Sequence, residues 1–323
     1  MKKSIIIILL LALGSSLYAQ YNLDDVTDSF QVFAEETAKA LPLAANMGLN
    51  WNDAYSGKFP HFGVGLTAGA VFLPSEAFED VLALTGTDNL AGMDKLGIPL
   101  PVYSFDGRLG LPVIPLDVGF KFGVLNPEML DLDGMAIGFK MIGGDVRWGI
   151  LEDKRFRPDV SIGFGYTWLN GDITAPMADQ NIDISDTGVG STLSLRDSDV
   201  NYNWSSNVMD FKAEVSKKIL ILNLHAGAGY SYGFSKAGGG LTASNVYVDD
   251  TQISDDQIDQ INAATGMSID PNGLSVLSEI NGGTFRLFGG VGLNIFILKI
   301  DLGAVYGVST DTLGLSGNIR IQY

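Results

Sequence analysis

The chain has 323 residues, no Cys, two His, and a formal charge of −17. The lack of Cys excludes a disulfide-stapled fold, and the acidity argues against a nucleic-acid partner. Forty Gly residues and a positive mean hydropathy, without an apolar run after residue 19 long enough for a spanning helix, leave a membrane β-barrel and a secreted β-sandwich as the two candidate classes.

At the N-terminus, Lys2 and Lys3 precede an apolar run from Ile5 to Leu13, followed by Gly14-Ser15-Ser16 and Leu17-Tyr18-Ala19. A basic start, a short apolar stretch and a small residue predict a secretory signal peptide over residues 1–19, cut near Ala19. Leu17 is larger than the residue usual three positions before the cut. No Cys follows the run, so a lipoprotein is excluded. In residues 20–60, Leu23, Val26, Phe30, Phe33 and Leu41 recur at helical spacing. Pro42 is expected to end that helix, and Ala44–Gly57 is small, polar and turn-rich. The helix is expected in or against the periplasmic mouth of a barrel, as either a plug or a covering latch.

From residue 61 to 323 the chain alternates with period two, which sends successive side chains to opposite faces of a strand. Ten segments follow this pattern, at about 61–73, 102–111, 115–125, 135–150, 159–172, 207–217, 220–234, 284–296, 298–308 and 312–323. In the second, Tyr103 and Phe105 oppose Asp106 and Arg108. In the third, Phe120 and Phe122 oppose Asp117 and Lys121. The fourth begins with Phe139 and Met141 opposite Lys140, then changes phase at Gly143-Gly144, so that Val146 and Trp148 oppose Asp145 and Arg147; a β-bulge is expected there. The sixth carries Asp210, Lys212 and Glu214 on its polar face, and the seventh His225. The eighth carries Arg286, the ninth Lys299 and Asp301, and the last Arg320 before the terminal Tyr323.

Charge sorting alone fits a sandwich as well as a barrel. Strand length does better, since these run to ten or more residues, as tilted spanning strands do, against a usual five or six. The connections alternate between short turns and long segments, with the long ones (74–101, 125–134, 173–206 and 235–283) at one end. That asymmetry is expected of outer-membrane barrels. Aromatics near both ends of the oily faces, such as Tyr166, Trp168, Tyr230 and Tyr306 at one end and Phe62, Trp148 and Tyr323 at the other, fit interfacial girdles.

On these features the chain resembles bacterial outer-membrane β-barrel proteins. The resemblance implies an all-β, antiparallel up-and-down barrel of about 10–12 strands over residues 61–323, preceded by the helix and plug or latch of residues 20–60. An additional hairpin would come from Leu193–Val200 or Leu241–Val248. It also implies residence in the bacterial outer membrane among its lipids, and Tyr323 as an insertion signal read by the barrel-insertion machinery. The N-terminal segment is loosely similar to the hatch of FadL-like transporters of hydrophobic compounds, although Asn46-Met47-Gly48 stands where that family has Asn-Pro-Ala.

The predicted functional set is the polar face: Asp106, Arg108, Asp117, Lys121, Lys140, Asp210, Lys212, Glu214, His225, Arg286, Lys299, Asp301 and Arg320 as lumen-lining residues. They either pair across a filled interior or line a wet, porin-like channel that passes small solutes. A non-conducting structural or adhesive barrel with acidic outer loops, and FadL-like uptake, are the alternatives. No enzyme is expected, because His61 and His225 do not share a rim with the Asp cluster of an omptin-like protease or with a lipid-facing Ser. No cofactor or metal motif is present: Asp131-Leu132-Asp133-Gly134 is only a fragment of a calcium loop. Ser254 before Asp255, Asp256 and Gln257 predicts a capped helix over about 254–265.

Overall fold

The computed structural model describes residues 21–323 except 58, 75–96, 127–135, 155–156, 178–179, 184–191, 255, 259–268 and 271–272. The expected leader lies outside the described residues. Ten strands build the wall: β1 Phe62–Leu73, β2 Ile98–Gly110, β3 Leu116–Leu125, β4 Ala136–Leu151, β5 Asp159–Met177, β6 Thr192–Ile219, β7 Leu222–Val248, β8 Gly273–Ile295, β9 Leu298–Gly307 and β10 Thr312–Gln322. Each pairs antiparallel with the next, and β10 returns to β1, from Leu313 opposite Phe72 to Gln322 opposite Gly63. The sheet thereby closes on itself and its backbone groups are paired around the ring, the condition for crossing lipid with strands.

The outward face is oily over most of its height. Val64 and Leu66 on β1, Phe120 and Phe122 on β3, Phe164 and Tyr166 on β5, and Leu302 and Tyr306 on β9 are all exposed, while the alternate positions are polar and buried. A soluble protein buries such side chains, so a continuous exposed apolar belt marks a lipid-facing wall. Among the described residues no helix is long and apolar enough to cross a membrane. The short connections Leu111–Pro115, Glu152–Pro158, Leu220–Ile221 and Phe296–Ile297 all lie at one end of the barrel.

Several expectations are corrected. The segments expected as long loops at 173–206 and 235–283 are largely wall. β6 and β7 run to 28 and 27 residues and stay paired from Ile219 opposite Leu222 to Leu193 opposite Val248. Leu193–Val200 and Leu241–Val248 thus prolong existing strands and add none, and the barrel has ten. On β7 the outward apolar run ends at Phe234, and Lys236 and Glu279 pair outside it. Residues 222–234 of a strand tilted about 40° rise roughly 30 Å, one hydrocarbon thickness. The remainder of β6, β7 and β8 stands beyond the membrane, with water on its outer face, so its alternation is weak.

The expected bulge at Gly143-Gly144 is absent. β4 keeps one phase from Phe139 to Arg147, with Phe139, Met141, Asp145 and Arg147 buried inward and Lys140 exposed outward. Lys140 is therefore not a lumen residue. The reason is the occupant of the lumen: at this level it holds an apolar helix, so inward side chains are oily too. The register shift of β4 instead falls between Gly149 and Leu151, at the turn end.

The helix, α1, spans Leu23–Ala45 and contains Pro42 rather than stopping before it. Pro42 has no N–H for the Ala38 carbonyl, yet the helix runs on to Ala45, and its last turn is capped: Asn46 Nδ2 donates to the Pro42 carbonyl at 2.6 Å and Asn46 N to Leu43 O. In the outer connection, Ser254 N donates to Gln257 Oε1, and Gln257 and Ile258 donate back to the Ser254 carbonyl. That is the expected capped start, and helix is described over 256–258. The rest of that expected helix lies outside the described residues.

Candidate functional site

A ten-stranded wall encloses more room than inward side chains can fill. Here the N-terminal segment takes that room. α1 lies inside the barrel against the tall wall: Ala34, Ala38, Leu41 and Ala45, one face at helical spacing, are fully buried with Tyr202 and Trp204 of β6 and Ala237 of β7. Phe33 packs on Tyr202 with ring centroids 4.8 Å apart. The small residues on this face let a helix fit beside the wall. Tyr21–Asn22 pairs with Ile182–Asp183, so the segment begins at the long-loop end. From Asn46 to Ser56 it descends as coil through the polar half of the lumen, and His61 enters β1 at the short-turn mouth. The helix is thus inside the barrel, toward the long connections, while the coil occupies the short-turn mouth, the end at which the helix was expected.

The coil has no secondary structure to satisfy its carbonyls, and the wall cations supply the donors. Lys121 Nζ donates to the carbonyls of Ala45 and Met47, the latter at 2.7 Å. Arg108 Nη2 donates to Leu49 O at 3.1 Å, and Lys212 Nζ to Leu49 O at 3.3 Å and Asn50 Oδ1 at 3.1 Å. Arg147 donates to Asp53 O at 2.6 Å and Tyr55 O at 3.1 Å. On the opposite wall, Asn52 N donates to Asp301 Oδ2, Asn52 Nδ2 to Leu302 O, and Asn223 Nδ2 to Asn52 O.

Three of these cations, Arg108, Arg147 and Lys212, are also paired with wall carboxylates. Asp117 accepts from both Arg108 and Arg147; Asp145 pairs with Arg108 at 2.9 Å and Lys212 at 3.1 Å; Glu214 pairs with Arg147 at 3.1 Å and Lys212 at 2.9 Å. Three cations and three carboxylates thus form one neutral, fully buried network, which meets the requirement that buried charges be paired. Two smaller pairs stand apart: Arg286 with Asp210 at 2.7 Å, and Arg320 with Asp301. Asp106 is held by the hydroxyls of Thr67 and Ser104. Trp51 lies between the guanidinium groups of Arg320 and Arg108, 4.7 and 5.5 Å from its ring. Its ring covers Gly63, where a Cβ would stand 2.8 Å from Trp51 Cη2, so only glycine fits. Gly48, at φ 106°, turns the coil away from the helix.

Of the predicted set, Asp106, Arg108, Asp117, Lys121, Asp210, Lys212, Glu214, His225, Arg286, Asp301 and Arg320 are buried inside the wall. Lys299 sits at the mouth, donating to Phe296 O, and Lys140 is outside. Asp145 and Arg147 belong to the network although the expected set omitted them; their alternation with Val146 and Trp148 was the signal. His225 Nε2 stands 3.9 Å from Glu214 Oε2 with its ring on Phe288. Beside it, between the coil and β8–β10, is a cavity of about 20 Å³, room for one water. Among the described residues no group of His, Cys, Asp and Glu could hold a metal ion.

Comparison with known proteins gives three kinds of result. A family model described as Lsa36-like matches residues 127–322, more than half of the chain. No curated protein matches. Among solved structures, the translocator domain of the autotransporter NalP from Neisseria meningitidis is similar at 11% identity, over 91% of this chain and 99% of that one, with a TM-score of 0.40. The outer-membrane protease OmpT from Escherichia coli is similar at 8% identity over 81% and 97%, with a TM-score of 0.41. A Pseudomonas aeruginosa FadL homologue is similar at 9% identity over 96% and 99%, with a TM-score of 0.28.

Proposed function

The chain belongs to the Lsa36-like family, and from that premise we propose that it is an outer-membrane barrel closed by its own N-terminal segment, whose working surface is the tall outer extension of β5–β8. In this reading the leader ends near Ala19, residues 20–60 are the plug, and residues 61–323 are the barrel. The supporting observation is the filled lumen. From Ser29 to Ser56 the segment is largely buried, and a gap beside it has room for about one water. A segment seated in this way leaves little of the lumen for a porin-like path of small solutes. The protein is a display scaffold, non-conducting and without catalysis, that carries its paired strands and the acidic Asp249 and Asp250 clear of the lipid. Conductance of the full-length chain in a planar bilayer tests this: silence is expected, and unit steps at rest would refute it. Loss of surface binding on shortening the 249–272 connection would then locate the working surface.

One observation favours a second reading, a gated channel for small solutes. The wall closes through β10 and β1 without help from the plug, and its own ion pairs would remain if the plug left. Replacing Lys121 and Arg147 together by Ala removes donors to four plug carbonyls. Intermittent conductance in that variant supports a gate, and continued silence supports the display scaffold. FadL-like uptake of apolar compounds would need an oily pocket by the coil, whereas the cavity there is lined by Asn50, Asn52, Asp301 and Asn318 as well as apolar groups.

A further inference from the structure

The turns at the short-turn end break a rule of turn chemistry. Where a tight hairpin needs a positive φ, Gly, Asn or Asp is the usual residue, because a larger side chain crowds the backbone. Here Val113 (φ 79°), Leu220 (φ 57°) and Phe296 (φ 53°) hold those positions. They are 83%, 92% and 95% exposed. Backbone preference therefore opposes these residues, and packing within the protein does not compensate. Their neighbours Ile114, Ile221 and Ile297 are exposed as well.

The three knobs belong to three separate hairpins, β2–β3, β6–β7 and β8–β9, so they are spread around the rim instead of forming one patch. Each continues the outward apolar face of its strands: Val118 lies just inside the first turn, Leu222 and Leu224 inside the second, Leu293 and Ile295 inside the third. The oily belt of the wall thus runs on over the turns. The fourth hairpin, β4–β5, is basic. Lys154 and Arg157 are exposed there, and Lys218 is exposed near the end of the adjoining β6. Among the described residues of these two turns, Glu152 is the exposed acid, while Asp153 is held by Lys217 and by the Lys218 amide. On a chain of net charge −17 this rim is locally cationic. A ring of apolar knobs flanked by Lys and Arg suits the boundary between headgroups and acyl chains of an anionic bilayer. A compact protein partner would be met by a single contiguous patch.

We propose that the short-turn rim is a lipid-binding surface: Val113, Leu220 and Phe296 enter the acyl region of the near leaflet, and Lys154, Arg157 and Lys218 take the phosphates of anionic phospholipid. The chain has no Cys, so Leu220→Cys and Phe296→Cys each carry a single nitroxide on the full-length protein. In vesicles of phosphatidylcholine with phosphatidylglycerol, both labels should collide with oxygen as often as a label at Val118→Cys on the wall. A label at Asp250→Cys should collide instead with a water-soluble nickel complex. If the labels at 220 and 296 behave like the one at 250, the knobs face water and the proposal fails; the surface would then be free for a protein. The triple variant Val113→Asn, Leu220→Asn, Phe296→Asn suits the positive φ and should fold in detergent at least as well as the parent. It should insert into the anionic vesicles several-fold less efficiently, and equal insertion would overturn the proposal. The variant Lys154→Gln, Arg157→Gln, Lys218→Gln should lose any preference for phosphatidylglycerol over phosphatidylcholine alone, and a preserved preference would overturn the headgroup assignment.

Discussion

Replacing Arg147 by Ala is the sharpest test of how the plug is held. Its guanidinium makes five hydrogen bonds: two to Asp117, one to Glu214, and one each to the carbonyls of Asp53 and Tyr55. Side-chain exposure is 1% for Arg147 and 0% for Asp117 and Glu214, so none of these groups can turn to bulk water. Removing one partner of a buried ion pair costs about 3–5 kcal/mol. Each stranded carbonyl adds about 1–3 kcal/mol if it stays buried. The two costs do not add, because the cheaper response is local: residues 53–56 lift out of the mouth and let water reach Asp117 and Glu214. The expected outcome is therefore a barrel that still closes, with a global loss of about 2–4 kcal/mol and a larger local one. Urea titration followed by Trp fluorescence reads the first, and amide exchange over residues 49–57 reads the second, where protection should fall by roughly 10²–10³-fold, at about 1.4 kcal/mol per decade. Lys217→Ala is the control, since its pair with Asp153 is partly exposed at 30% and 23% and should contribute less than about 1 kcal/mol. An Arg147→Ala protein whose midpoint and coil protection match the control would refute the claim that the network holds the plug.

Three further outcomes follow from the same geometry. Gly63→Val places a branched side chain against the Trp51 ring; overpacking of this kind costs about 1–3 kcal/mol, and a red-shifted Trp emission with a lowered melting temperature would register the displaced ring. His61, packed edge-on to Tyr55 at the mouth, has its pKa lowered from 6.5 by burial. Its folded state favours the neutral ring, so stability is full above pH 6.5 and falls as the pH drops below that value toward the lower folded pKa; protease access to residues 53–57 should rise on acidification in the parent and much less in His61→Gln. Tyr323→Ala removes a ring 6.1 Å from Phe62 at the closing seam, where Phe62 and Tyr323 exchange two backbone hydrogen bonds; slower refolding into vesicles by the heat-modifiable gel band is expected, with the final fold unchanged.

Much of the wall could be read from the sequence because its physics is local. A lipid-facing side chain must be apolar whatever the rest of the chain does, so Phe120, Phe122, Tyr166 and Leu302 announce themselves. The inward code is not local. It depends on what fills the lumen, and the filler is a segment far away in sequence. Where coil fills it, inward positions are charged and the alternation reads true, as for Asp117, Lys121, Lys212 and Glu214. Where α1 fills it, Phe139 and Met141 point inward, the contrast between faces disappears, and Lys140 reads as a lumen residue although it faces out. The extension of β6 and β7 was hidden for the converse reason: beyond the membrane no lipid imposes an oily face, so 193–206 and 235–248 look like loop. Pro42 misled because the residues around it, Ala40, Leu41, Leu43 and Ala44, are at most 2% exposed, and burial against the wall outweighs one missing helix bond, a tertiary gain that propensity does not contain.

The threading of the plug constrains how the molecule can assemble. Tyr21–Asn22 is paired at the long-loop end, His61 enters β1 at the short-turn end, and the coil between them is bonded to β2, β3, β4, β6, β7 and β9. A preformed, closed wall would have to admit α1 lengthwise past these ion pairs. Closure around a segment already laid against β6 and β7 avoids that if the chain closes at the β10–β1 seam, which lies on the side of the ring away from the tall wall. The buried cations then have a carbonyl or a carboxylate to meet at every stage, and the charged lumen is never desolvated empty. On this argument the network serves assembly as much as stability. Arg147→Ala should accordingly slow closure as well as loosen the plug, a kinetic effect that a merely stabilising contact formed after closure would not produce.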